Sequence, residues 1–255
     1  MMTASRILIV LPTYNEVANI ARLVTDLRKV HATADLLIID DNSPDGTATV
    51  AEGLTRTVPG VSMIKRAGKL GLGSAHILGL DRALEGGYDV VVTMDCDYTH
   101  NPEDVPRLLQ ALDDEGADVA AGSRYGHPEG VHDWPLWRQV ITRTAHACTK
   151  HFLGIPHDAT SAFRAYRTKV LPLTRYQTIR GDGYSFIFEM MFNCIRNGLK
   201  IAEVPMRMPI RQAGESKISR IEVLRAVLAL GRLASARMSS QVRLLTAPSK
   251  DSGHA

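Results

Sequence analysis

Four short apolar runs alternate with helical segments in the first 95 residues, and this alternation constrains the fold more than any other feature. The runs span residues 6–11, 35–40, 61–65 and 90–94. Between them, apolar residues spaced three and four positions apart predict helices over residues 16–30, 47–54 and 74–85. Near-continuous apolar strands that alternate with helices are typical of a parallel sheet covered on both faces. The sequence therefore predicts an α/β fold with a doubly wound, mostly parallel sheet.

The rest of the chain adds strands and longer helices without a linker or an internal repeat. Strands are predicted over residues 118–122 and 201–207, and helices over residues 102–112, 136–152, 183–197 and 221–245. A length of 255 residues suits one large domain. We therefore expect a single domain over residues 1–245, which ends in an amphipathic helix near 221–245, followed by a disordered tail over residues 246–255.

Composition excludes several classes of protein. A net charge of +3 is too weak to indicate a nucleic-acid partner. Cys96, Cys148 and Cys194 form neither a CxxC pair nor a metal-finger pattern, which fits a reducing compartment. We find no secretory signal peptide and no apolar run of roughly 18 residues. We therefore expect a cytoplasmic protein that does not cross a bilayer.

Two aspartates follow the fourth predicted strand. Asp and Asn disfavour strands, so this strand should end near Met94 and leave Asp95 and Asp97 at its carboxyl end. In an extended segment, residues i and i+2 point the same way, so both carboxylates could reach one cation. Hard cations such as Mg²⁺ or Mn²⁺ suit such ligands. The plainer alternative is a solvated turn that caps the next helix.

The nucleotide-binding motifs of two other classes are missing. A dinucleotide site needs GxGxxG directly after the first strand, where this chain has PTYNE without a glycine. No phosphate-binding P-loop occurs either. These absences argue against a nicotinamide dehydrogenase and against a nucleotidyltransferase with a glycine-rich phosphate loop.

Five motifs together indicate a family. They are PTYNE (residues 12–16), DDNSPDGT (40–47), MDCDYTHNP (94–102), GSRY (122–125) and RQAGESK (211–217). In these motifs and their order, the chain resembles the inverting glycosyltransferases of family 2, which have the GT-A fold. Within that family it resembles the polyprenol (dolichol) phosphate mannose synthases, which implies a GT-A domain.

The resemblance implies a set of donor-binding residues. The nucleotide pocket would be lined by Pro12, Tyr14 and Glu16, with Ile39 and Asp41 at the base and ribose. The nucleotide sugar would lie along Asp95, Cys96, Asp97 and Arg124, and Arg211 and Lys217 would close over the diphosphate. Cys96 stands where the family usually has Ala, so its backbone would make the contact. Asp95, Asp97 and Thr99 would hold Mg²⁺ or Mn²⁺, although the family often has Gln at the position of Thr99.

The resemblance also implies the catalytic residues, namely Asp97, Arg124 and Arg138. The two arginines would orient the phosphate of a lipid acceptor, which is largely dianionic at neutral pH and needs no general base. Taken alone, Arg124 could equally form a surface ion pair, and Arg138 could belong to a solvated helix face. The predicted reaction is mannose transfer from GDP-mannose to a polyprenyl monophosphate. UDP-glucose as donor is one alternative, and a non-catalytic subunit that binds nucleotide sugars is another.

The last predicted helix bears on location. Its apolar stripe comprises Leu224, Val227, Leu228, Ala234 and Met238, and Arg225, Arg232 and Arg243 lie opposite. A basic amphipathic helix of this kind can rest on an anionic membrane. The stripe could also be an ordinary contact with the core. A lipid acceptor favours the first interpretation, so we expect peripheral contact with the cytoplasmic face of a membrane or with a membrane-anchored subunit.

Overall fold

A seven-stranded sheet organises the computed structural model, which describes residues 5–131, 134–179, 183–209 and 220–246. The strands are β1 (Ile7–Thr13), β2 (Asp35–Asp40), β3 (Val61–Lys65), β4 (Val90–Thr93), β5 (Val119–Ser123), β6 (Arg164–Arg167) and β7 (Ile201–Pro205). The helices are α1 (Ile20–Val30), α2 (Thr47–Thr57), α3 (Leu72–Glu85), α4 (Val105–Asp114), α5 (Leu136–Cys148), α6 (Leu171–Thr174), α7 (Tyr184–Arg196) and α8 (Arg220–Thr246). Thr246, the first residue of the predicted tail, belongs to α8, and the rest of that tail, residues 247–255, lies outside the described residues.

The strand order confirms the predicted doubly wound, mostly parallel sheet. It runs β3-β2-β1-β4-β6-β5-β7. β1 pairs in parallel with β2 and β4, β2 with β3, and β5 with β7. β6 is antiparallel to both of its neighbours, β4 and β5. Since two reversals restore direction, β5 runs the same way as β4, and both strands end at the same edge.

Side chains of β1 alternate between two cores, as expected for a sheet covered on both faces. Ile7, Ile9 and Leu11 pack with α1 and α4 on one face. Leu8 and Val10 pack with α3 and α7 on the other. The helices thus cover both faces of the sheet, which leaves the ends of the strands available for a binding site.

Strand β6 is not predicted from the sequence. Its four residues, Arg-Ala-Tyr-Arg, carry a charge at each end and lack an apolar run. The structure nevertheless buries Arg164, whose guanidinium donates to the carbonyl oxygens of Ile187 and Ala159, both at 2.7 Å. These hydrogen bonds replace the water that a buried guanidinium loses.

Two predicted boundaries near the first loop are wrong. Helix α1 begins at Ile20 rather than at residue 16, and Asn15 does not cap it. Asn15 has a left-handed backbone (φ 56°), which a helix does not allow. β1 in turn continues through Pro12 and Thr13, which pair with β2. The longer helix predicted over 136–152 also changes character, because α5 gives way to a π-helical turn at Thr149–Leu153.

Helices α5 and α8 expose apolar side chains. On α8, the exposed members of the predicted stripe are Leu224, Val227, Leu228 and Met238, each at least 59 % exposed. Ala229 and Leu233 make the core contact, together with Ala234 of the stripe, so the alternative that the stripe packs on the core is wrong for its four exposed members. On α5, Leu136, Trp137, Val140 and Ile141 are exposed as well. No helix within the described ranges has the length and apolarity that crossing a membrane requires.

Candidate functional site

The strand order gathers the predicted donor residues at one edge of the sheet. β1 lies between β2 and β4, and the order of strands reverses there. In open α/β sheets, ligands bind in the crevice outside the strand ends at such a point. Tyr14 and Glu16 follow β1, Asp41 follows β2, and Asp95 and Asp97 follow β4. The fold therefore brings all three motifs to the same crevice.

The first two motif loops are joined by hydrogen bonds. Three backbone N–H groups of the first loop donate to side chains of the second: Asn15 to Ser43 (3.0 Å), Glu16 to Thr47 (2.8 Å) and Val17 to Asp45 (3.1 Å). Asp40 lies beneath them, fully buried, and accepts from Thr13 and Ser43. The polar residues of DDNSPDGT thus accept from the backbone N–H groups of this loop and hold it in place ahead of α1.

A cation and an aromatic ring meet where the nucleotide is predicted to bind. The Lys69 ammonium lies 4.4 Å from the ring centroid of Tyr14, a cation–π contact. Asp41 is buried, forms an ion pair with Arg66, and accepts from the backbone N–H of Gly71 at 3.0 Å. The sequence analysis assigned no role to Lys69 or Arg66. Both precede the helix after β3, and neither belongs to the five motifs.

Some predicted donor contacts are not available to side chains in this structure. Ile39 is 0 % exposed and packs in the core beside Val10, so a contact with the nucleotide would have to come from its backbone. Cys96 is also buried, which agrees with a contact through its backbone alone. Glu16 is buried, and its Oε2 accepts from Asn19 at 2.8 Å. Pro12 remains partly exposed at the end of β1.

The acidic segment after β4 is bent rather than extended, which corrects the argument made from sequence. The chain turns from Cys96 onwards, and Tyr98 has a left-handed backbone (φ 62°). Asp97 is buried, and its Oδ1 accepts from the backbone N–H of Thr99 (3.0 Å) and from the Thr99 hydroxyl (2.6 Å). Thr99 therefore orients Asp97 here, and direct ligation of a metal by Thr99 stays a prediction.

His100 holds the other aspartate of the segment. Its Nδ1 accepts from the backbone N–H of Asp95 at 2.9 Å, and its ring stacks on Phe163 at a centroid distance of 4.9 Å. An accepting Nδ1 means that the other ring nitrogen carries the proton if the ring is neutral. Asp95 itself is partly exposed at the crevice.

Arg124 is held by a buried carboxylate. Its side chain is 9 % exposed and that of Asp158 is 1 % exposed. The guanidinium donates from Nε and Nη2 to the two oxygens of Asp158, at 2.8 and 2.6 Å, and also contacts Thr160. Burial acts against ionisation of Asp158, but Arg124 outweighs it and holds the pKa of that carboxyl below its ordinary value. Arg124 does form an ion pair, as the alternative prediction stated, but that pair is buried and not at the surface.

Both predicted acceptor arginines lie against one indole ring. The guanidinium carbon of Arg138 is 3.9 Å from the ring centroid of Trp134, and that of Arg124 is 5.8 Å from it. The Trp134 ring is buried and donates from Nε1 to the carbonyl oxygen of Met208 at 2.9 Å. Arg138 is partly buried, so the structure does not place it on a fully solvated helix face.

Several residues of this site carry no signal that the sequence analysis used. Trp134, Asp158, Lys69 and Arg66 all lie between the five motifs. An aspartate two residues before Thr160-Ser161, in the segment that leads to Phe163, could have drawn attention to Asp158. Arg211 and Lys217, the predicted diphosphate contacts, lie outside the described residues.

Comparison with known proteins gives relatives that share most of the chain. The family model described as glycosyl transferase family 2 matches residues 8–172. A polyprenol monophosphomannose synthase of Mycolicibacterium smegmatis is 38 % identical over 240 residues, which cover 91 % of this chain and 90 % of that one. An undecaprenyl-phosphate mannosyltransferase of Micrococcus luteus is 39 % identical over 215 residues, 84 % and 88 % of the two chains.

Solved structures with low sequence identity share the fold. Glucosyl-3-phosphoglycerate synthase of Mycobacterium tuberculosis, crystallised with Mn²⁺, UDP-glucose and phosphoglyceric acid, matches with a TM-score of 0.65 at 21 % identity, over 91 % of this chain and 80 % of that one. Mannosyl-3-phosphoglycerate synthase of Rubrobacter xylanophilus matches with a TM-score of 0.67 at 17 % identity, over 98 % and 79 %. These matches support the GT-A fold. The chain belongs to glycosyl transferase family 2 and, within it, to the polyprenol phosphate mannose synthase family, and it is a glycosyltransferase.

Proposed function

We propose that this glycosyltransferase moves mannose from GDP-mannose to a polyprenyl monophosphate and inverts the anomeric centre. The observation that carries the proposal is the pairing of two chemistries at one edge of the sheet. Asp95 and Asp97 follow β4, and Arg124 follows β5, which ends at the same edge. An acidic pair suits a cation-bound diphosphate, and arginines suit an acceptor phosphate. The names of the relatives support mannose as the sugar and a polyprenyl phosphate as the acceptor.

The donor would bind across the first two motif loops. Tyr14 and Lys69 offer an aromatic face with a cation beside it, and Asp41 offers a carboxylate held in place by Arg66 and Gly71. Fixed groups of this kind bind a nucleotide without first having to be ordered. Arg211 and Lys217 are proposed to contact the diphosphate, where negative charge develops as the sugar leaves.

The acidic pair fits a divalent cation that is shared with the substrate. Within the described ranges, no group of three or more His, Cys, Asp or Glu side chains is arranged to hold a metal. Two carboxylates, Asp95 and Asp97, match Mg²⁺ or Mn²⁺, which take one or two carboxylates and complete their shell with phosphate oxygens and water. Such an ion would supply positive charge beside the leaving diphosphate. The Thr99 hydroxyl keeps Asp97 oriented for this purpose.

The acceptor would need orientation rather than deprotonation. A phosphate monoester is largely dianionic at neutral pH and is already a nucleophile. Arg124 and Arg138, which lie against the same ring, would hold its oxygens by charge-assisted hydrogen bonds. The chain therefore requires no general base for the transfer.

We also propose that the exposed apolar faces of α5 and α8 rest on the cytoplasmic face of a membrane, where the acceptor phosphate lies at the headgroup level. α5 begins two residues after Trp134 and carries Arg138, so its apolar face lies on the same helix as one of the proposed acceptor arginines. Arg143 and Arg225 are exposed on the same two helices and could meet anionic headgroups. A membrane-anchored partner subunit would be the alternative occupant of these faces.

Radiolabel transfer to short-chain polyprenyl phosphate tests the proposal. GDP-mannose and UDP-glucose would be compared as donors, each with and without EDTA. We expect lipid label from GDP-mannose only, and loss of that label with EDTA. Label from UDP-glucose instead would correct the donor and keep the acceptor. No lipid label from either donor would contradict the proposed acceptor.

A further inference from the structure

We propose that Trp134 is a positioning residue, whose indole ring holds Arg138 and Arg124 together for the acceptor phosphate. The inference rests on the proposed function, since it deepens the role that the two arginines have there. Trp134 itself would touch neither the phosphate nor the sugar.

The ring faces of aromatic residues carry partial negative charge and attract guanidinium groups within about 6 Å. The Arg138 carbon at 3.9 Å lies well inside this range, and the Arg124 carbon at 5.8 Å lies near its limit. Two guanidinium groups near each other repel, so an uncharged surface that attracts both is a simple way to keep them close. Tryptophan gives the strongest such contact among the aromatic residues.

The indole is itself held by burial and by one hydrogen bond, and the backbone that carries it is held as well. Its ring is 7 % exposed, and Nε1 donates to the carbonyl oxygen of Met208 at 2.9 Å. The carbonyl oxygen of Trp134 accepts from Nε2 of Gln139 at 2.8 Å, one turn into α5. Met208 is held in turn, since its N–H donates to Gly130 at 3.1 Å. The ring therefore cannot turn away without breaking its hydrogen bond to Met208.

The two arginines are anchored in different ways, and this gives the ring its specific task. Arg124 is fixed by the buried carboxylate of Asp158. Arg138 has a long side chain on a helix, with many rotamers to lose when it binds a phosphate. Contact with the ring restricts those rotamers before the acceptor arrives, which lowers the entropy cost of binding.

Kinetics of two variants separate the ring face from the ring nitrogen. Trp134→Leu removes the face and should raise the KM for polyprenyl phosphate about tenfold, the loss expected for one cation–π contact. The KM for GDP-mannose should change by less than about twofold. Trp134→Phe keeps a ring face and loses the Nε1 donor, so its acceptor KM should lie between the wild-type and Leu values. An unchanged acceptor KM in Trp134→Leu, or an equal rise in both KM values, would overturn the inference.

A double-variant cycle tests whether Trp134 acts through Arg138. In an Arg138→Gln background, Trp134→Leu should add little further to the acceptor KM, because the group that the ring positions is already gone. Full additivity of the two changes would contradict a positioning role and indicate a general effect on the fold.

Tryptophan fluorescence reports acceptor binding in a protein that keeps Trp134 and without a measurement of mannose transfer. The chain has two tryptophans, Trp134 and Trp137, so in a Trp137→Phe protein Trp134 is the sole tryptophan emitter. Titration with short-chain polyprenyl phosphate in detergent should change the emission and saturate, whereas unphosphorylated polyprenol should not. Transfer without any such change would overturn the inference. A phosphate-specific change in a protein without mannose transfer would support the inference about the ring while contradicting the proposed reaction.

Discussion

The buried ion pair of Arg124 and Asp158 holds separate parts of the site together. Both side chains are buried, and the pair is joined by two hydrogen bonds. The backbone N–H of Asp158 donates to Glu203 on β7, and that of Thr160 donates to Asp158. The guanidinium predicted to face the acceptor is therefore tied to the loop before β6 and to the far edge of the sheet.

Removal of the Asp158 charge should destabilise the protein. Asp158→Asn leaves Arg124 buried without a counter-charge, which typically costs about 3 kcal/mol in the free energy of unfolding. A double variant, Arg124→Met with Asp158→Asn, should recover much of this loss while transfer stays low. Urea denaturation measures both proteins. An unchanged free energy of unfolding in Asp158→Asn would show that the ion pair does not hold the loop.

Asp97 carries the residue-scale claim about the donor. Asp97→Asn retains an oxygen that can accept from Thr99 and loses the charge that a cation needs, so transfer should fall at least about a hundredfold. Its thermal unfolding should remain close to that of the wild type. Asp113→Asn is the matched control, since Asp113 is exposed in α4 and should have little effect. Equal activity of Asp97→Asn and wild type would remove the acidic pair from the mechanism.

At the scale of elements, a buried glutamate joins α7 to α8. Glu189 on α7 is 3 % exposed, and its Oε2 accepts from Arg232 on α8 at 2.5 Å. Its other oxygen, Oε1, is buried and has no hydrogen-bond partner among the residues that the structure describes. Burial raises the pKa of Glu189, and the half-exposed Arg232 offsets this effect only in part.

Glu189→Gln should therefore stabilise the protein at pH 7, by up to about 1 kcal/mol. A raised pKa means that the folded state binds the proton more tightly than the unfolded chain, so wild-type stability should rise relative to the variant as pH falls from 7 toward 5. Thermal unfolding at the two pH values measures the difference. Glu85→Gln, which breaks an exposed pair with Arg82, should change little. A less stable Glu189→Gln protein at pH 7 would show that the ion pair outweighs the burial of the charge.

The predictability of the elements depended on how each one is stabilised. β2 and β3 were predicted with correct bounds because their apolar residues are local and continuous. β6 was missed because hydrogen bonds from Arg164 to distant carbonyl groups, which no local pattern shows, allow a charged segment into the core. The start of α1 was missed for the same reason, since side chains of a later loop bind the backbone before it.

The site was predictable where residues of one motif follow one strand. Asp95, Asp97 and Asp41 lie at the sheet edge as the strand pattern indicates. Trp134 and Asp158 could not be found in this way, because neither directly follows a predicted strand. Asp158 contacts an arginine 34 residues away, and the contact of Trp134 with Arg124 depends on the path of the chain after β5. Whether the apolar stripe on α8 contacts the core or is exposed could not be predicted either, because hydrophobic periodicity identifies a helix face but not its surroundings.

At the scale of the whole molecule, exposed apolar residues are concentrated on α5 and α8. Val140 on α5 and Leu228 on α8 are both more than half exposed. Replacing both by Ser should weaken cosedimentation with vesicles that contain phosphatidylglycerol by at least about tenfold, given the apolar area that each side chain would bury. Leu173→Ser, an exposed leucine on α6, is the matched control and should not change binding. Equal loss in both proteins, or no loss in either, would contradict a membrane contact through these helices.

The proposed reaction requires that an oxygen of the acceptor phosphate attacks the sugar directly. Phosphorus NMR of the purified protein with GDP-mannose and short-chain polyprenyl phosphate follows the phosphorus atom of this acceptor group. We predict that the monoester signal is replaced by a phosphodiester signal as an equal amount of GDP appears. Release of GDP with an unchanged monoester signal would mean that water accepts the sugar, and would contradict the assignment of Arg124 and Arg138 to an acceptor phosphate.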